Sequence, residues 1–249
     1  MKNLQSALYS LTDTDPAPIT DFIQWLAASY GLKGPLRVLD IGCGPGRMLG
    51  ELARLGWKVW GMDPEPDFLE SAEETARVHP DVRVLQGGFA DIAQEDFFDL
   101  VAAINGPFSY LLTVEDRIVG LERAFRALRS QGVLFLETAN PSWVLKHYRE
   151  PEERTLALDG RAVRYRQRNE FDFHDNLWVQ TDEFVLLDSL GAERRLSKKH
   201  TLAMVGLPQI AHLMRRQGFA DLQTFNSYGS RSSERLTGGR LMLAARRPA

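Results

Sequence analysis

The chain has 249 residues, long enough for one large domain or one domain with a substantial insertion. Hydrophobic residues make up 44% and charged residues 25%, the balance of an ordinary globular protein, and the apolar runs fall short of the ~18 residues that span a bilayer. A net charge of −3 provides no global field to gather nucleic acid, and the single cysteine, Cys43, excludes an intrachain disulfide.

The opening residues, Met-Lys-Asn-Leu-Gln-Ser-Ala-Leu-Tyr-Ser, lack the apolar core of a signal peptide, so the expected location is the cytoplasm. Residues 19–30 carry Phe22, Trp25, Leu26 and Ser29 on one helical stripe, ended by Gly31 and Gly34. An apolar strand follows at 37–41, then a helix at 47–55 stopped by Gly56, a strand at 58–62 and a helix at 67–78 stopped by Pro80. Strands at 82–85 and 98–104 precede a helix at 115–129, whose Ile118, Leu121, Phe125 and Leu128 share one face. A fifth strand covers 133–138. Alternating strands and helices of these lengths predict βαβ units, a parallel sheet and right-handed crossovers. All carboxyl ends then share one rim, which gathers the glycines after strand one with Asp63, Asp91 and Asn105.

After Pro141 the period changes. Residues 155–204 alternate polar and apolar every second position, which predicts an antiparallel meander: Val163, Tyr165, Phe171 and Phe173 on one face, and Arg164, Arg166, Arg168, Glu170 and Asp172 on the other. His174-Asp175-Asn176 turns into a strand at 177–187, and Ser189-Leu190-Gly191 turns into another at 192–202. A helix at 207–217 and strands at 222–228 and 240–245 complete the chain, the last two forming an antiparallel edge hairpin.

Residues 38–47 read Val-Leu-Asp-Ile-Gly-Cys-Gly-Pro-Gly-Arg. A strand ending in Gly42-x-Gly44-x-Gly46 lets the backbone approach a ligand with no side chain in the way. Asp40 sits in the same crevice, where open parallel sheets bind ligands; its carboxylate suits a cation and suits a pyrophosphate badly. A dinucleotide fingerprint would place its third glycine at position 47, which is arginine. The stretch resembles the first motif of the class I S-adenosylmethionine-dependent methyltransferases, hydrophobic-hydrophobic-Asp/Glu-x-Gly-x-Gly-x-Gly. The expected fold class is therefore α/β: a Rossmann-like, seven-stranded, mostly parallel sheet with an antiparallel last strand, plus an inserted antiparallel β-meander after strand five.

Asp63 ends strand two, where a carboxylate accepts hydrogen bonds from a ribose diol in dinucleotide folds and in the resembling methyltransferases alike; the other reading makes it a helix N-cap before Pro64. By resemblance Asp91, in Gly87-Gly88-Phe89-Ala90-Asp91-Ile92, accepts from the adenine amine while Ala90 and Ile92 line the ring; the alternative is a plain turn. Asn105-Gly106-Pro107-Phe108 is similar to the fourth motif and lacks the double proline of enzymes that methylate bases. It puts Asn105 near the methionine end of S-adenosylmethionine. Ser109 and Tyr110 either reach the acceptor side or are loop residues. Arg47 either pairs with the cofactor carboxylate or is a solvated first-turn residue. Tyr9 and residues 10–18 correspond to a lid in resembling enzymes. The arginine stripe is either an anchor for an acidic acceptor or a solvated face opposed by Asp182 and Glu183.

His174 and His200 are the histidines best placed to take a proton from an acceptor, with Tyr110 beside them as a catalytic candidate. His147 follows Trp143 in a stretch compatible with a helix. No metal-ligand spacing, Gly-x-Ser-x-Gly or Gly-Lys-Ser/Thr is present. The resemblance implies an enzyme that uses S-adenosyl-L-methionine, releases S-adenosyl-L-homocysteine, needs no metal, and methylates a nitrogen or oxygen of a small molecule such as a glycine-like amine or an amino sugar. Residues 1–34 are expected as a cap, 35–140 with 203–249 as the cofactor-binding domain, and 141–202 as a substrate-covering insert. A monomer or homodimer without membrane attachment is expected. The competing functions are a tRNA or other nucleic-acid methyltransferase, an NAD-dependent oxidoreductase, and a cofactor-binding protein without catalysis.

Overall fold

The computed structural model describes residues 4, 7, 8, 11, 15–148, 151–187 and 192–249. Tyr9 and the turn at Ser189, Leu190 and Gly191 lie outside the described residues.

Helix α1 (Pro16–Ser29) precedes strand β1 (Arg37–Ile41), and α2 (Arg47–Arg54), β2 (Lys58–Asp63), α3 (Pro66–Val78) and β3 (Val82–Gln86) follow. Next come β4 (Phe98–Ala103), α4 (Val114–Ala127) and β5 (Leu128–Ala139), and later α6 (Leu207–Gln217), β10 (Ala220–Phe225) and β11 (Arg240–Arg246). These strands form a seven-stranded sheet in the order β10-β11-β5-β4-β1-β2-β3. β11 alone runs against its neighbours β5 and β10; the remaining pairs are parallel.

Both faces of this sheet are covered, which is why its strands are apolar at successive positions rather than at alternate ones. Val38, Leu100, Ala102, Val133 and Phe135 face α1, α2 and α3, while Leu39, Val101, Ala103, Leu134 and Leu136 face α4 and α6. The order reverses beside β1, between β4 and β2, so the crevice outside their carboxyl ends is the binding position that this topology prescribes.

A second sheet joins β5 to α6. After α5 (Pro141–His147) it runs β6 (Glu152–Leu158), β7 (Arg161–Asp172), β8 (Leu177–Leu187) and β9 (Glu193–Ala203), paired antiparallel in that order. The meander thus has four strands. The first was not expected, because Glu152–Leu158 is mostly exposed and carries little apolar alternation. Val163, Tyr165, Phe184 and Leu186 form the inner face together with Leu8. Phe173 does not join them: it lies in the β7–β8 turn and is 73% exposed. The arginine stripe is a solvated face, with Arg164 paired to Glu193, Arg166 to Glu153 and Arg168 to Glu183. Asp182 does not oppose it, because the register sets Asp182 against Gln167 on the buried side.

No helix among the described residues is long and apolar enough to cross a membrane. Phe22 anchors α1 to the sheet: it is fully buried and its ring lies 5.3–5.8 Å from those of Trp25, Phe135, Phe225 and Tyr228. Phe22→Ala is expected to cost about 3–5 kcal/mol and to lower the melting temperature by roughly 10 °C, measured by thermal unfolding followed by circular dichroism.

Candidate active site

The loop after β1 turns on glycines for two separate reasons. Gly42 and Gly46 take φ of 70° and 87°, where side chains are strained. They are also pinned by space: a Cβ on Gly42 would sit 2.5 Å from Pro107 Cβ, and one on Gly46 2.9 Å from the Ala72 backbone. Between them, Gly44 donates its amide to Asp63 Oδ2 at 2.9 Å.

Asp40, on β1, is 2% exposed, and its Oδ1 has no hydrogen-bond partner. Burial pushes its carboxyl up to about 7, opposed by the Arg47 guanidinium and reinforced by the Asp63 carboxylate. Asp63, at the tip of β2, also accepts from Glu65 N at 2.9 Å through Oδ1. Burial raises its pKa, and the amides of Glu65 and Gly44 hold that rise back. Each oxygen keeps a second lone pair for a ligand hydroxyl. Asp63 is not a helix cap: α3 starts at Pro66 with Glu65 as its N-cap, and Pro64 is an exposed turn residue.

Asp40, Gly42, Gly44, Arg47, Asp63, Pro64 and Asn105 line a single cavity of about 460 Å³. Gly46 does not line it; it is the N-cap of α2. Ala90, Asp91 and Ile92 do not line it. They form and leave a short 3-10 turn (Phe89–Asp91) in which the Asp91 carboxylate folds back onto Gly88 N at 2.8 Å. Ala90 is exposed and Ile92 is buried in the core. Gly88 and Phe89 take the wall position instead. On the opposite side, β9 brings Lys198, Lys199 and His200 to the cavity, with Lys198 Nζ 3.0 Å from Glu65 Oε2 and over the Phe68 ring. Among the described residues no group of His, Cys, Asp or Glu could hold a metal ion.

A second cavity of about 590 Å³ opens beside the first, and Asn105, Tyr110 and His200 line both. The Tyr110 hydroxyl is 2.5 Å from His200 Nδ1, and His200 Nε2 is 3.6 Å from Asp182 Oδ2. Tyr165 OH, at 2.9 Å, and the amides of Gln167 and Gln180 converge on Asp182. Burial lowers the His200 pKa and Lys198 adds to this, while Asp182 acts against both. Trp143, Tyr148 and Trp178 supply an aromatic wall, and Glu137 with Arg240 a charged one. His174 takes no part: it sits in the β7–β8 turn with its side chain 95% exposed. His147 is exposed and stacks on Trp143.

Asp182, Gln180, Gln167 and Glu137 were missed from the sequence. The signal was strand parity. Trp178, Gln180 and Asp182 share the parity of Phe184 and Leu186, so polar groups stand where the inner face asks for apolar ones.

Asp40 ties stability to pH. Its carboxyl ionises near 3.8 in the unfolded chain and near 7 in the fold, so the native state holds a proton that the unfolded state has lost. Stability therefore falls as pH rises through that window. Asp40→Asn is expected to stabilise the ligand-free protein by about 4 kcal/mol above about pH 7 and by little near about pH 4, measured by denaturant unfolding at both pH values.

Residues 38–132 match the family described as "Methyltransferase domain". The chain is 29% identical over 134 residues to the cypemycin N-terminal methyltransferase of a Streptomyces species, covering 54% of each. It spans about half the length of the curated relatives it matches. An S-adenosylmethionine-dependent methyltransferase from Clostridium acetobutylicum superposes with a TM-score of 0.82 over 99% of both chains at 18% identity. An amino pentose methyltransferase from Micromonospora echinaspora, with S-adenosylmethionine bound, gives 0.77 over 98% of this chain and 96% of that one at 20% identity. Residues 38–132 are thus similar to the methyltransferase-domain family, and the chain as a whole shares the fold of the S-adenosylmethionine-dependent methyltransferases on which it superposes.

Proposed function

We propose that the protein transfers a methyl group from S-adenosylmethionine to an amine or hydroxyl of a small, polar, ring-bearing acceptor. The observation that carries this reading is the unpartnered Asp40 oxygen, buried beside a glycine loop and opening into a cavity that adjoins a second, polar and aromatic one. A buried carboxylate without a donor is costly, and a cationic ligand removes that cost.

In this reading Asp40 meets the cofactor's cationic amino acid end, Arg47 its carboxylate and Asp63 the ribose hydroxyls. The turn at Gly88 and Phe89, capped by Asp91, borders the adenine end, with Ala90 and Ile92 supporting it from outside the cavity. Asn105 lies toward the methionine end, between the two cavities. When bound, the cofactor supplies a methyl group activated on a sulfonium. The chain then has to align the acceptor's lone pair and exclude water. Trp143, Tyr148 and Trp178 suit the flat face of a sugar or other ring, and Gln167, Gln180 and Asn226 suit its hydroxyls. The methyltransferase likeness to an amino pentose enzyme supports an amino sugar as the acceptor. The proposed division of the chain keeps 1–34 as a cap, 35–140 with 203–249 as the cofactor-binding unit and 141–202 as the substrate-covering unit. The lone cysteine, which needs no oxidising compartment, supports action in the cytoplasm.

Calorimetric titration with S-adenosylmethionine, S-adenosylhomocysteine and NAD(H) tests the cofactor. Micromolar binding of the first two is expected, weakened about 100-fold or more in Asp63→Ala by loss of two charge-assisted contacts. Tight NAD(H) binding, or none of the three, overturns the reading. Asp40 adds a pH signature: below about pH 7 it must lose a proton to receive a cation, so affinity for S-adenosylmethionine should fall roughly tenfold per pH unit. Binding in that range should release a proton to buffer, and Asp40→Asn should abolish both effects.

A further inference from the structure

The partition between the two cavities is built from groups that exchange protons. Tyr110 comes from the 3-10 turn Pro107–Tyr110 that follows β4, His200 from β9, and Asp182 from β8, paired in the sheet beside it. His200 and Asp182 are each 4% exposed, while Tyr110 is half-exposed and lines both cavities. The Tyr110 hydroxyl and Nδ1 lie 2.5 Å apart, and the Asp182 carboxylate faces Nε2 at 3.6 Å, beyond direct hydrogen-bond length; its field favours the ring proton on Nε2, which leaves Nδ1 to accept from the phenol. Asp182 is itself held by Tyr165, Gln167 and Gln180, so its position is set by β7 and β8 rather than by solvent.

We infer that Asp182 is a positioning residue for a Tyr110–His200 base: by holding the Nε2–H tautomer, it keeps the Nδ1 lone pair turned toward Tyr110 and toward an acceptor in the second cavity. This rests on the methyl-transfer reading above. The proton step balances as follows. As the acceptor's lone pair bonds to the methyl carbon, the carbon–sulfur electrons remain on sulfur. The acceptor's N–H or O–H proton passes to the Tyr110 oxygen while the phenolic proton passes to Nδ1. The product is a neutral Tyr110 and an imidazolium opposite Asp182. Proton loss to water then resets the pair.

The charged and titratable groups around His200 fit this role. Asp182 from β8, with Tyr165 of β7 behind it, favours the imidazolium, and Lys198 on β9 opposes it. Lys198 is drawn toward Glu65, and Lys199 is the next residue toward the cofactor cavity. Burial keeps the resting ring neutral, the form a base requires.

Two-bond proton–nitrogen spectra of the imidazoles of the S-adenosylhomocysteine-saturated full chain test the inference, with His200 assigned by His200→Gln. The expected result is a neutral Nε2–H tautomer in the unaltered protein. In Asp182→Asn the tautomer should become mixed and the His200 pKa should fall by about 1–3 units, while the Kd for S-adenosylhomocysteine is unchanged. Tyr110→Phe should shift the Nδ1 resonance alone. An Nδ1–H tautomer in the unaltered protein overturns the inference whatever the variants do. So does a His200 pKa and tautomer unmoved in a folded Asp182→Asn. Absence of S-adenosylhomocysteine binding would instead sink the cofactor reading, which keeps the two failures distinguishable.

Discussion

The site is organised around a carboxylate held out of water with one oxygen unanswered. Asp40 lies near the carboxyl end of β1, an interior strand whose neighbours on both sides exclude solvent. The loop that follows cannot answer it. Its glycines have no side chains, and its first three amides are committed, those of Gly42 and Cys43 to the Met62 carbonyl and that of Gly44 to Asp63. Asp63 adds a second negative charge nearby, and Arg47 only partly offsets the pair. The fold tolerates this because the flanking core is large, apolar on both faces and indifferent to one costly group at its edge.

Glu137 shows what a satisfied buried acid looks like in the same protein. It lies on β5 and accepts from Asn105 N at 2.8 Å, from the Tyr228 hydroxyl and from Arg240. Asn105 adopts a positive φ of 67°, uncommon for a residue with a side chain, just before Gly106 at 94°, and the turn gains from an external hold. Glu137 supplies it, and through Tyr228 and Arg240 it ties the segment around the last two strands to the turn between the cavities. One acid is closed by the chain and the other is left open. That contrast sets Asp40 apart from Glu137, whose carboxylate is already answered by the chain although it lines the second cavity.

What could be read from the sequence was whatever depends on local backbone demands. Glycine spacing, the Asp at the strand end and the βαβ rhythm are short-range, and the seven-stranded sheet followed from them. The second cavity depends on register among three strands and a 3-10 turn. Its residues come from positions 105 to 240, and beyond Asn105 and Gly106 they carry no motif. Asp182 was placed on the solvated face because the arginines across the hairpin offered it partners; the pairing of Gln167 with Asp182 put it inside. Asp91 was given an adenine contact by analogy of position, yet its own turn claims the carboxylate. Strand register decides the first case and a local turn three residues long the second.

Strand β9 couples the two halves of the site. Lys198 reaches Glu65 and Phe68 at the cofactor cavity, and His200, two residues on and on the same face, reaches Tyr110 at the second. A lysine beside a site for a cationic ligand would repel it if left alone. Its pairing with Glu65 at 3.0 Å cancels most of that field at short range. Any shift of β9 that loosened this pair would therefore bring an uncompensated positive charge toward the cofactor site. It would also draw His200 away from Tyr110. Binding in one cavity and proton transfer at the partition thus depend on the seating of a single strand. Two alternate residues of that strand, held by ion pair and hydrogen bond, make the second sheet part of the wall of the first cavity.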